Sequence, residues 1–567
     1  MGRMPFDLDP ISGELRRDGA VVKLAPQPLR VLGLLAARAG QVVSREEIRR
    51  ELWGDGVHVD FEQGLNSCIK QVRQALGDPK LVETVPKRGY RLVRAPKPAR
   101  RYWIWAAAAA LLLIGLSLIR LPQHTEQRHL LAVLPFEDLT PATDSFSDGL
   151  TEETTTQLSR LQPERLGVIA RASAMAYKKS HVAIPEIGRA LGVDYVLQGS
   201  VRRDAGRLRI SAQLIQVSDQ TQLWAATYER ESGSPLAVEA GIAGRIATSL
   251  AGELLPGVTL ARIHAATTNS QSYEAYLRGE RALGLRNDRG FTEAIDQFSR
   301  AVKEDPNYAL AYVGLADTYS LMGEYYLLPP STAFPKAREA ALRALEIDDS
   351  LAEAQTSLAF VMAKYDWDWP GAEARFRRSM ELNSGYATTH QWYAELLSAM
   401  GRHDEAIAEI ARARQLDPLS LIIQSVDGYI YYNARRYDEA IARCRAVLDK
   451  NPRYAPALEF LMLAYERKGM EAETLALERA AVEQAIAGVR SVHFLATRDA
   501  SRSDSSPYSV AARYAVLGQR DQAFRWLDRA CDRHDALLTF AKVDPNLDAL
   551  HQDPRFPGLL KRVGLSR

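Results

Sequence analysis

Residues 65–76, LNSCIKQVRQAL, and the later stretch 82–92, VETVPKRGYRL, decide how the head of this 567-residue chain is read. In the first, Leu65, Ile69, Val72 and Leu76 recur at i, i+4, i+7 and i+11, the spacing of one buried helix face. The opposite face then carries Asn66, Ser67, Lys70, Gln71, Arg73 and Gln74, long donors and acceptors with almost no acid. The second stretch reads as two short strands, 81–85 and 90–93, joined by the tight turn Pro86-Lys-Arg-Gly89. Moving outward, Ser44-Arg-Glu-Glu47 has capping-box spacing and opens a helix whose apolar side is Ile48, Leu52 and Trp53. Leucines at helical spacing follow Pro28 and stop at Gly40, and strands are expected at 6–8, 12–17 and 21–24. Strands, three helices and a terminal hairpin make an α/β winged helix-turn-helix.

Such a helix suits nucleic acid. A major groove admits one helix, and Arg, Lys, Asn and Gln fit base edges and phosphates. Lys87 and Arg88 sit at the hairpin tip, within reach of a minor groove. The charge distribution agrees. The net charge of +2 is a cancellation: residues 1–101 hold 19 Lys and Arg against 12 Asp and Glu, while the remainder holds 53 against 58. A basic head on a mildly acidic body places the nucleic-acid partner, double-stranded DNA, at one end. Three cysteines exclude a disulfide-stapled mini-domain, and 25% charged residues exclude a multi-span transporter.

The quoted stretches resemble the DNA-binding domain of OmpR/PhoB-type response regulators over about ninety residues. By that resemblance Lys70, Gln71 and Arg73 match the groove-reading positions and Arg88 matches the wing contact. The family usually has a basic residue where this chain has Gln71, so base preference does not carry over. The expected DNA-binding set is Asn66, Ser67, Lys70, Gln71, Arg73, Gln74, Lys87 and Arg88.

Residues 102–119, YWIWAAAAALLLIGLSLI, contain no charge and would span about 27 Å as a helix, close to a bilayer core of roughly 30 Å. Lys87, Arg88, Arg91, Arg94, Lys97, Arg100 and Arg101 precede it, against Arg120 and Arg128 after it. A transmembrane helix over 102–120 is expected, with the N-terminus cytoplasmic and the C-terminal region periplasmic. With the first strand near residue 6, no receiver domain is expected ahead of the winged helix. This order resembles ToxR/CadC-type transmembrane regulators and implies a single-pass protein of the bacterial inner membrane.

From residue 129 the pattern becomes a small α/β domain, expected over 129–260. LAVLPFEDL (131–139), GVDYVLQGSVRR (192–203) and LRISAQLIQVSDQTQLWAATYER (208–230) resemble the TolB-like, or FlgO-like, domain. Regulators with that domain are sometimes labelled adenylate cyclase by association. No cyclase-like aspartate pair, phosphate-cradling glycine loop or HExxH is present, and Asp144, Asp148, Glu152 and Glu153 read as helix-dipole partners. No enzyme activity, metal or cofactor is expected.

Beyond Ser272 the chain repeats. Ala294, Ala337, Ala372, Ala406 and Ala440 recur at intervals of 43, 35, 34 and 34 residues, and Pro306, Asp349, Ser384, Pro418 and Pro452 keep the same spacing. A period of 34 with small residues at fixed helix positions resembles the tetratricopeptide repeat, expected over 271–567 as an all-α superhelix whose groove takes a protein or peptide partner. Tyr312, Tyr319, Trp392, Tyr393, Tyr429, Tyr431 and Tyr432 read as interlocking core, and Cys444 and Cys531 as isolated buried thiols.

The fold class expected is therefore multidomain: winged helix over 1–97, one transmembrane helix, a small α/β domain and a repeat superhelix. The function expected is a membrane-anchored transcriptional regulator that binds promoter DNA and senses a ligand or protein partner. Homodimerisation on DNA stays open. The alternative is a membrane-tethered repeat scaffold without specific DNA binding.

Overall fold

The computed structural model describes residues 6–9, 14–17, 20–53, 61–93, 128–140, 145–204, 207–231, 235–255, 267, 269–483 and 506–566. The chain divides into two compact units, residues 1–123 and 124–567.

In the first unit, β1 (Phe6–Leu8), β2 (Leu15–Arg17) and β3 (Ala20–Val22) form an antiparallel sheet. Then come α1 (Pro26–Ala37), β4 (Val42–Val43), α2 (Arg45–Trp53) and α3 (Phe61–Leu76), and the hairpin of β5 (Val82–Val85) and β6 (Gly89–Leu92), in sheet order β4-β6-β5. The leucine-type spacing of α3 is realised as burial: Leu65, Ile69, Val72 and Leu76 join Val31, Leu32, Leu35, Ile48 and Leu92 in one core. The Ser44 N–H donates to the Glu47 carboxylate at 2.8 Å, and the Glu47 N–H donates back to Ser44 Oγ at 3.2 Å. These bonds, with the Arg38 guanidinium, hold the Glu47 carboxyl down at about 2. The capping box thus fixes where α2 begins.

The second unit opens with a mixed sheet of order β12-β11-β10-β7-β9, with the short β8 (Glu137–Asp138) on β10. Here β7 (His129–Val133) and β9 (Leu166–Val168) run parallel to each other, and β7 parallel to β10 (Tyr195–Asp204). The three long strands β10, β11 (Arg207–Gln216) and β12 (Gln222–Glu231) are antiparallel. One face is covered by α4 (Ser145–Ser159) and α7 (Pro235–Leu254), through Phe146, Leu150, Leu158, Ile242, Ile246 and Leu250. On the opposite face, at β7 and β10, Ala132 and Val196 pack with Ile169 and with Ile187 and Leu191 of α6 (Ile184–Leu191). A short helix, α5 (Arg171–Met175), follows β9.

Six helical hairpins come next: α8 (Ser270–Gly284) with α9 (Asp288–Glu304), α10 (Ala309–Glu324) with α11 (Pro330–Ile347), α12 (Ala352–Val361) with α13 (Trp369–Leu382), α14 (Ala387–Ala399) with α15 (His403–Leu416), α16 (Leu421–Asn433) with α17 (Tyr437–Leu448), and α18 (Ala455–Arg467) with α19 (Glu471–Glu483). The recurring alanines Ala294, Ala337, Ala372, Ala406 and Ala440 are all fully buried, which is why only a small residue serves there. The same closeness shows at Gly314, where a Cβ would lie 2.4 Å from the Phe298 ring. Trp392, Tyr393, Tyr431 and Tyr432 are core residues, and Cys68, Cys444 and Cys531 are buried free thiols. Leu327-Leu-Pro329 forms a surface loop, and α11 starts at Pro330, where a missing N–H costs nothing.

The first helix of each inner hairpin is buried almost all round: in α14, Thr389 through Ala399 are all buried. Two parts of the same unit do the covering. From the α/β side, the Ala170 N–H donates to Leu416 O at 2.8 Å, Ser173 Oγ donates to Asp417 at 2.5 Å, and Tyr273 Oη donates to Gly149 O at 3.1 Å. From the other, α20 (Pro507–Val516) and α21 (Arg520–Asp532) lead into 3₁₀ turns that fold back on the earlier repeats. Trp369 Nε1 donates to Val563 O at 2.7 Å, Arg467 donates to Asn546 at 2.7 Å, and the Tyr429 and Phe540 rings meet edge-on at 5.1 Å. The groove expected to stand open is therefore lined here by the chain itself.

Two expectations are corrected. Among the described residues no helix is long and apolar enough to cross a membrane, and the apolar run 102–119 lies outside the described residues. The fold class becomes a winged-helix domain followed by an α/β layer joined to a large all-helical repeat region, and the single-pass inner-membrane localisation is withdrawn. A span requires one continuous apolar helix of about 20 residues, and none is found among the described residues.

Candidate nucleic-acid interface

Helix α3 ends at Gly77, whose positive φ of 75° gives the left-handed turn that sends the chain into β5. With its apolar side buried, α3 exposes Asn66, Ser67, Lys70, Gln71 and Gln74, while Arg73 is half-buried. An open groove of about 660 Å³ lies along this face, lined by Arg45, Asn66, Ile69, Lys70, Arg73, Gln74, Gly77, Pro79, Thr84 and Tyr90.

The eight expected residues divide by what they already hold. The side chains of Lys70, Lys87 and Arg88 are exposed and make no hydrogen bond or ion pair with a described residue. Gln71 reaches back to Ser67 Oγ at 3.4 Å, a weak contact that costs little to release. Asn66 Oδ1 accepts from Tyr90 Oη at 3.1 Å, which ties α3 to the hairpin and leaves the amide nitrogen for a ligand. Arg73 is committed elsewhere. Its Nε and Nη2 donate to Val82 O at 3.0 and 2.7 Å, and Nη2 also donates to Thr84 Oγ1 at 2.8 Å. A guanidinium so engaged clamps β5 to α3.

At the hairpin tip Lys87 has a left-handed φ of 60°, and Gly89 follows with a φ of 141°. A Cβ at Gly89 would lie 2.0 Å from Val43 O, so only glycine lets β6 pass β4. This turn holds Lys87 and Arg88 apart from the body of the domain, on the same unit as α3.

Sequence reasoning missed Arg45, Thr84 and Tyr90. Arg45 pairs with Glu62 and stands 5.6 Å over the Tyr90 ring, so a second cation flanks the groove beside Lys70. Its place inside the capping box, at the first residue of α2, was the available signal. Nothing in the one-dimensional pattern brings β6 against α2.

The family described as "Transcriptional regulatory protein, C terminal" matches residues 19–92. A second, "HilA/YgeH-like transcriptional regulator, second domain", matches residues 127–242, where a TolB-like domain was expected. Residues 19–92 thus form an OmpR-type DNA-binding domain of transcriptional regulators, and the body carries a HilA-like regulator domain with tetratricopeptide-like helical repeats. Among relatives, "Putative adenylate cyclase 3" of Rhizobium meliloti (strain 1021) is 36% identical over 188 residues, 33% of this chain and 32% of that protein. The match spans about a third of that relative's length. "Transcriptional regulator HilA" of Salmonella typhimurium is 24% identical over 435 residues, 76% of this chain and 73% of that protein. A thermophilic TPR protein of Thermus thermophilus matches with a TM-score of 0.28 at 21% identity, covering 32% of this chain and 92% of that structure.

Proposed function

We propose that this chain is a transcription regulator, not an enzyme, that binds promoter DNA through α3 and the β5–β6 hairpin. The observation that carries the reading is the division of labour on one face: the side chains of Lys70, Lys87 and Arg88 stand exposed without protein partners among the described residues, while Arg73 and Tyr90 hold the helix and hairpin in fixed relation. Unpaired cations at fixed spacing release counterions when they meet phosphates, and a polar helix face between them supplies base contacts. In this reading Lys70, Gln71, Gln74 and the free amide of Asn66 face base edges, with Ser67 beside them. Lys87 and Arg88 contact backbone or minor groove, and Arg73 positions the hairpin. The α/β and repeat unit is the receiving end, taking a ligand or protein partner.

Fluorescence anisotropy of the full chain on the duplex upstream of its own coding region, and on a scrambled duplex, tests this. Tighter binding to the first, weakening linearly in log–log form as salt rises, is expected. Binding that ignores salt, or that fails to separate the two duplexes, would overturn it.

A further inference from the structure

The two ends of the mixed sheet are treated differently. At one end β9 is three residues long, and the Ala170 N–H just beyond it donates to Leu416 O, so the repeats cover that edge. At the other end β12 runs ten residues and pairs with β11 alone among the described strands. That leaves an edge of about 30 Å with a row of main-chain donors and acceptors.

Natural sheets blunt such an edge with charge, proline or brevity. From Gln222 to Tyr228, QLWAATY, this strand has no charge and no proline, and its irregularity lies at the start, opposite Leu214/Ile215. Its two faces differ. Trp224 and Ala226 pack on the helical layer, and Tyr228 is buried beneath the Arg245 guanidinium at 4.8 Å. Leu223, Ala225 and Thr227 are exposed on the other face.

We propose that β12 is a self-association surface through which two copies of this chain pair edge to edge, antiparallel about a two-fold axis at Ala226. The register is self-complementary. Ala226 meets its own copy at the axis, where its small side chain allows close approach. Ala225 lies opposite Thr227 and Trp224 opposite Tyr228, so no charge faces its like across these pairs. The two flanking aromatic pairs fall on the face that already packs against the helices. A two-fold pairing of this kind closes on itself and leaves no free long edge. The inference stands apart from the DNA-binding reading, since it uses no residue of the first unit.

The full chain tests it. Sedimentation velocity is expected to show a dimer. Ala226→Cys should give a disulfide-linked dimer on mild oxidation, because the two thiols adjoin at the axis, while the native Cys68, Cys444 and Cys531 are buried and silent. Leu475→Cys, exposed elsewhere, is the control and should stay unlinked. The double variant Ala225→Lys, Thr227→Lys sets lysines opposite lysines on the exposed face. It should weaken the dimer about tenfold or more with an unchanged circular dichroism spectrum. A wild-type chain that stays monomeric at its highest soluble concentration overturns the proposal and leaves the edge to an extended segment of another protein. So does a dimer that neither cross-links through position 226 nor responds to the lysines.

Discussion

Asp417→Asn is expected to stabilise the second unit at neutral pH and to leave it unchanged in acid. Asp417 lies in the turn between α15 and α16, buried where the α/β layer meets the repeats, and its carboxylate accepts from Ser173 Oγ at 2.5 Å. Burial pushes its carboxyl up to about 6, against the opposing pull of the Ser173 hydrogen bond and Arg286. In the unfolded chain the same group titrates near 3.9. Between those values the folded state holds the proton more tightly, so its stability is full below about pH 4 and falls as pH rises to about 6. Two pKa units correspond to about 3 kcal/mol. Asparagine keeps an acceptor for Ser173 and has no charge to desolvate. The variant should therefore gain up to about 3 kcal/mol over the parent at about pH 7.5, and nothing at about pH 4. Urea unfolding across that range, followed by tryptophan fluorescence, measures the difference. Other buried carboxyls, Glu239 at about 9 and Glu280 at about 8, slope both proteins alike and cancel. A difference that is constant with pH, or a variant less stable at neutral pH, would refute the reasoning.

Four further outcomes follow from the geometry. Gly89→Ala should cost about 3 kcal/mol or more, since the new Cβ would overlap Val43 O, and protease sensitivity of the first unit reports it. Arg73→Ala should remove the clamp on Val82 and Thr84, costing about 1–3 kcal/mol of domain stability and weakening DNA binding alike at every sequence. Lys70→Ala should weaken the preferred duplex by about 1–3 kcal/mol more than a scrambled one, whereas Lys87→Ala should weaken both and lower the salt slope by about one, each read by anisotropy titration. Trp369→Phe should lose the hydrogen bond to Val563 O and lower the urea midpoint by an amount worth about 1 kcal/mol.

What was legible in the sequence was whatever local periodicity encodes. The i, i+4, i+7 spacing of α3, the Ser44–Glu47 box and the 34-residue return of alanine each follow from contacts within one or two helical turns. The role of Arg73 was not legible. Its spacing puts it on the exposed half of α3, and only the placement of β5 supplies the carbonyl that claims it. Tyr90 and Arg45 went unseen for the same reason, since they meet across elements distant in sequence. The fold-back after Arg533 is built from short 3₁₀ turns, which carry no period to detect. Composition alone supported a membrane expectation for residues 102–119, which lie outside the described residues, and among the described residues no helix is long and apolar enough to cross a membrane.

The fastening of the repeats has a consequence for how the array can change. In an open solenoid each repeat meets only its neighbours, so units can be gained or lost with little effect on the rest. Here Ser173 reaches Asp417 across 244 residues, and Trp369 reaches Val563 across 194. Removing one 34-residue repeat would carry Asp417 and Trp369 out of line with partners whose own positions are set independently. Repeat number is thereby locked, as the number of strands is locked in a closed barrel, and the array is expected to melt as a single cooperative body instead of fraying from its ends.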